Sequence, residues 1–98
     1  MTRMVALLPA MFGRRRRGLL VEGAPEEVLL AAAAALRRLG ARITRYDTEA
    51  ATLEAQLASA APVRVGAVAD GERCTRLTLE SDGRTARRFR RELSDGGQ

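Results

Sequence analysis

Cys74 is the one thiol in the chain and stands between Arg73 and Arg76, whose charge would favour the thiolate, while Ser59, Ser81 and Ser94 are the serines open to activation by a base. No such base is at hand. The sequence contains no His, so the usual proton acceptor for a nucleophilic hydroxyl or thiol is missing. It also contains no Lys. That removes Schiff-base chemistry and the phosphate-cradling P-loop, so the GxxxxG spacing of Gly13 to Gly18 carries no meaning. One Cys without His leaves no ligand set for zinc. The neighbouring carboxylates, Glu26 with Glu27, Asp47 with Glu49 and Glu80 with Asp82, fall in caps and turns, where acids are placed for structural reasons. The expectation is a protein that is not an enzyme and uses no metal or cofactor.

What remains is the chemistry of arginine. All 17 basic residues are Arg, a choice that high-GC coding in an alanine-rich chain suffices to explain, and the net charge is +5. Their placement is uneven. Residues 1–18 carry five Arg and no acid, residues 19–83 carry seven Arg against ten acids, and residues 84–98 carry five Arg against two acids. A mildly acidic body with two basic ends points to anion contacts at the ends. The candidates are Arg14, Arg15, Arg16 and Arg17 at one end and Arg84, Arg87, Arg88 and Arg91 at the other.

The elements that must position these residues start with Ala24 to Gly40, APEEVLLAAAAALRRLG. Pro25 suits the first helical position, Glu26 and Glu27 complement the positive end of the helix dipole, and Arg37 and Arg38 complement the negative end. Gly40 supplies a left-handed cap. The apolar stripe of Val28, Ala32, Ala35, Leu36 and Leu39, with Leu29 beside it, is meant for burial. Its alanines bring the helix backbone close to a flat sheet and leave little room for a ligand between Leu29, Leu53 and Leu77.

Leu19 to Glu22 reads as a short strand. Ala41 to Asp47 reads as another, with Ile43 inward and Arg42, Thr44 and Tyr46 outward; it is expected to bulge or leave the sheet at Arg45, which the alternation would otherwise turn inward. Ala51, Leu53, Ala55 and Leu57 form the dry side of the next strand, and Val63, Val65, Ala67 and Ala69 that of the following one. Asp70 and Gly71 signal a two-residue type I′ hairpin into a strand over residues 73–80, with Thr75, Leu77 and Leu79 inward. Asp82 caps a second helix from about Gly83 to Leu93. Its apolar side is only Ala86, Phe89 and Leu93, which predicts weak packing; Ser94 to Gln98 are expected to be disordered.

The expected fold is therefore α+β, in the order β-α-β-β-β-β-α. A mostly antiparallel sheet of four to five strands carries one long helix on one face and a short C-terminal helix. At 98 residues the chain holds one domain, residues 19–95, preceded by a basic, apolar segment, residues 1–18. Within that segment Met4 to Phe12 is an apolar run. A secretory signal carries its positive charge before the run, whereas four arginines follow this one, so no signal peptide is read. The run reads as a loose tail, as an extra strand or helical turn on the domain, or as a plug that acts with the arginines on an anionic membrane surface.

The stretch from Leu20 to Leu93, in which VEGAPEEV opens a helix, LRRLGARI leaves it, DTEAATLEAQL forms the next hairpin and an arginine-rich helix ends the domain, resembles the helix-grip modules of bacterial envelope proteins. Examples are the Bam-complex outer-membrane assembly lipoprotein domains and related bacterial domains of unknown function. The resemblance implies an interaction or assembly domain near a membrane, without an active site. The chain lacks the lipidated cysteine near the start that a lipoprotein would carry.

Two functions follow as expectations. The first is a non-enzymatic interaction or assembly module with a protein partner, peripheral to an anionic membrane surface. The alternative is a nucleic-acid-binding protein that works through its arginines. Stacking of single-stranded RNA on the sheet is poorly provided for, since Tyr46 is the only tyrosine. A homo-oligomer is compatible with either. The favoured location is cytoplasmic or membrane-peripheral.

Overall fold

The computed structural model describes residues 15–58 and 62–96. Helix α1 (Pro25–Arg38) forms where its propensities place it. Glu27 reaches back to accept the Ala24 amide at 3.3 Å. At the other end Gly40, at φ +92°, turns the chain out. The Gly40 and Ala41 amides donate to the Arg37 and Leu36 carbonyls at 2.9 and 3.0 Å, which satisfies two of the last carbonyls of the helix.

Five strands, β1 (Arg15–Glu22), β2 (Arg42–Asp47), β3 (Thr52–Gln56), β4 (Val63–Ala69) and β5 (Cys74–Ser81), form one antiparallel sheet in the order β1-β5-β4-β3-β2. The protein is α+β, as expected, with α1 packed on the sheet and a C-terminal helix α2 (Gly83–Gly96) beside it. Strand β1 begins at Arg15 rather than Leu19, so three of the N-terminal arginines lie within the sheet, paired with Leu79, Glu80 and Ser81. Arg14 and the apolar run Met4 to Phe12 lie outside the described residues.

Three local readings need correction. The expected irregularity in β2 is present, with a register shift between Ile43 and Arg45, but it moves Tyr46 as well. Arg45 now pairs with Glu54, and Tyr46 pairs with Leu53, so Tyr46 stands on the helix side of the sheet and not the outer side. The hairpin at Asp70 is longer than a two-residue turn. The Asp70 amide donates to the Cys74 carbonyl at 2.9 Å and only Gly71 of the connection has positive φ, which leaves residues 71–73 as the loop. Finally, α2 continues through Ser94 to Gly96, where disorder was expected.

The core lies between the sheet and the two helices. Val28, Leu29, Ala32, Ala33, Ala35 and Leu36 of α1 meet Leu53, Ala55, Val63, Val65, Leu77 and Leu79 of the strands. Leu29, Leu53 and Leu77 are packed core residues. Helix α2 is not weakly held: Phe89 is 0% exposed and heads the fully buried side chains by size. Fully burying a side chain of this kind stabilises by roughly 1.5–3 kcal/mol relative to leaving it in water. Arg38 of α1 adds a link, donating through Nε to Glu92 Oε1 at 2.7 Å and through Nη2 to the Glu92 carbonyl at 3.1 Å.

Candidate anion-contact surface

Two parts of the chain that are far apart in sequence meet at one corner. The start of β1 pairs with the end of β5, Arg15 opposite Ser81 and Arg17 opposite Leu79, and α2 leaves β5 directly after, at Gly83. Between them lies a cleft of about 320 Å³ lined by Gly18 and Leu19 of β1, Leu79 of β5, and Ala86 and Arg90 of α2. The antiparallel register therefore joins the two basic ends, a proximity that neither end shows in its own sequence.

On α2, Ala86 and Phe89 turn inward and Arg84, Arg87, Arg88 and Arg91 are exposed. The spacing i, i+3, i+4, i+7 places these four on one side of the helix. Arg90 stands apart from them, one residue past Phe89, and lines the cleft against β1. Two acids nearby, Asp82 and Glu92, are already engaged. Asp82 Oδ1 accepts the Thr85 amide at 2.7 Å and caps α2. That bond and the Thr85 hydroxyl hold the Asp82 carboxyl below its ordinary value of 3.8, with a smaller contribution from the Arg84 charge. Glu92 is held by Arg38. Among the described residues Arg87, Arg88 and Arg91 form no ion pair.

The outer face of the sheet is electrically different. The register aligns Arg16, Glu80, Arg64, Glu54 and Arg45 across β1, β5, β4, β3 and β2, a row of alternating sign. Arg64 Nε lies 3.4 Å from Glu54 Oε2, and Arg64 Nη1 lies 4.0 Å from Glu80 Oε1. Arg76, two rows away on the same face, donates to Asp70 Oδ2 at 2.7 Å. Each acid of this row has arginines beside it, so the row's net charge is small, whereas Arg84, Arg87, Arg88 and Arg91 stand together on α2 without an acid among them. A further cleft of about 370 Å³ lies between the start of α1 and the β2–β3 turn, lined by Glu26, Leu29, Leu30, Tyr46, Thr48 and Ala51.

Among the described residues no three His, Cys, Asp or Glu side chains are grouped to hold a metal ion, and no helix is long and apolar enough to cross a membrane. Cys74 is half-buried on the outer side of β5. Comparison with protein-family models, with curated proteins and with solved structures found no match.

Proposed function

We propose that the protein is a non-enzymatic interaction module that docks through its basic corner on an anionic lipid surface. The observation that carries this reading is the exposed row of Arg84, Arg87, Arg88 and Arg91 on the side of α2 turned away from Ala86 and Phe89, on a helix that leaves β5 beside the start of β1. In the sequence the apolar run Met4 to Phe12 is separated from the first residue of β1 by Gly13 and Arg14 alone. Stable peripheral anchoring takes two signals, apolar insertion and basic attraction, and the sequence supplies a candidate for each. Each basic side chain near an anionic bilayer contributes about 1 kcal/mol.

The test is sedimentation with vesicles of phosphatidylcholine, with and without phosphatidylserine. Binding is expected only with phosphatidylserine and should fall at least tenfold when Arg84, Arg87, Arg88 and Arg91 are all replaced by Gln. Removal of residues 1–13, which spares β1, should weaken it as well. Equal binding to neutral vesicles, or indifference to the four substitutions, refutes the reading.

A second reading, a nucleic-acid binder, is favoured by Arg87, Arg88 and Arg91 of α2, which form no ion pair among the described residues. Contacts to six or more phosphates would make the affinity fall by orders of magnitude between about 50 and 200 mM salt. A titration of duplex and single-stranded oligonucleotides across that range decides it, since a shallow slope is incompatible with phosphate contacts by this surface.

A further inference from the structure

The two edges of the sheet are built differently. Strand β2 is short, six residues, and carries the bulge between Ile43 and Arg45, a common way of blunting an edge. Strand β1 has eight residues, contains no proline, and keeps an unbroken register with β5 from Arg15 to Glu22. Such an edge is a template for another strand.

The hydrogen bonds say which residues are available. The Gly23 amide donates to the Arg73 carbonyl at 2.8 Å, in line with the register that pairs Val21 with Thr75. Backbone polar groups alternate in direction along an antiparallel strand, so the odd-numbered residues of β1 turn toward β5. Arg16, Gly18, Leu20 and Glu22 present their amides and carbonyls to the free side, and no described strand receives them.

We infer that β1 pairs antiparallel with β1 of a second copy of this chain, about a two-fold axis at Leu19. In that register Arg16 lies opposite Glu22 and Gly18 opposite Leu20, each pair occurring twice, and all four free-edge residues are used. A shift by one residue would place opposite faces together. A shift by two leaves Arg16 or Glu22 without a partner inside the strand. The register also sets opposite charges across from each other at both ends. It brings Leu20, 61% exposed on the outer face, beside a glycine that leaves space for it. The two five-stranded sheets then continue into one, with the helices of both copies on the same side. The inference depends on the edge and not on the basic corner, so either can fail alone.

Leu19 would face its own copy as a non-hydrogen-bonded pair, with Cα atoms about 4.5 Å apart, within disulfide range. The experiment uses the full chain with Cys74→Ser. Adding Leu19→Cys should give a covalent dimer on mild oxidation, whereas Thr44→Cys on β2 should not. In sedimentation equilibrium Glu22→Arg, which sets like charges opposite each other twice, should weaken the dimer about tenfold, and Arg16→Glu in the same chain should restore it. A wild-type protein that stays at the mass of one chain up to about 100 μM, a level typical of weak association, overturns the inference. So does equal cross-linking at residues 19 and 44, or failure of the charge swap to restore association.

Discussion

Asp82 and Gly40 are each held by one physical effect, and each can be tested alone. Asp82 is the acceptor for the Thr85 amide at the start of α2. Its replacement by Ala should cost about 0.5–2 kcal/mol in urea unfolding at pH 7. Its carboxyl titrates lower in the folded protein than the ordinary 3.8, so its contribution is present above that value and is lost as pH falls through the lowered one. The gap between wild type and Asp82→Ala should therefore close in acid; a gap that widens would show that the cap is not the charged form. At Gly40 nothing lies within 4 Å of where a Cβ would be, yet φ is +92°. Gly40→Ala should lose about 1–2 kcal/mol through backbone conformation alone. Gly83, equally open and without positive φ, should accept Ala without loss. Both caps were legible in the sequence because the residue that supplies the effect is adjacent to the helix it serves.

At the scale of elements, α2 depends on Phe89. Phe89→Ala should cost about 3–5 kcal/mol, a large part of the 5–15 kcal/mol typical of a domain, and should lower both the urea midpoint and the helical circular dichroism. Replacement of Glu92 by Gln removes a part-exposed ion pair and should cost no more than about 1 kcal/mol by the same assay. The helix was expected to pack weakly because Ala86, Phe89 and Leu93 are few. Counting apolar residues gave no sign of how deeply one aromatic ring would sink between α1 and the sheet. The same kind of limit applies to Tyr46. The alternation of Ala41 to Asp47 signalled a bulge near Arg45, but the side on which Tyr46 ended depended on where the shift fell, which is set by pairing with β3. Asp70 and Gly71 signalled a hairpin, and the hydrogen bond from Asp70 to Cys74 decided its length.

For the whole molecule, strand periodicity disclosed the inward residues of β3, β4 and β5 but not the order of the strands, since α1 carries the chain from one edge of the sheet to the other. That order makes the candidate surface. Arg84, Arg87, Arg88 and Arg91 could be read from a helical pattern, while the placing of α2 next to β1, with Arg90 lining the cleft between them, needed the pairing of the first strand with the last. The row of alternating charge on the outer face was likewise hidden, because each strand contributes a single member. Arg64→Glu should place three acids side by side in that row and lower the urea midpoint, with an effect that shrinks as salt is raised. The union of β1 with β5 also constrains how the protein is made. On a ribosome the opening strand emerges with its neighbour still untranslated, and the stretch carrying α1, β2, β3 and β4 must be synthesised before the sheet can close. Nascent chains stalled ahead of Cys74 should accordingly remain open to protease at the residues of β1, and resistance should arise only when the final strand has cleared the exit tunnel.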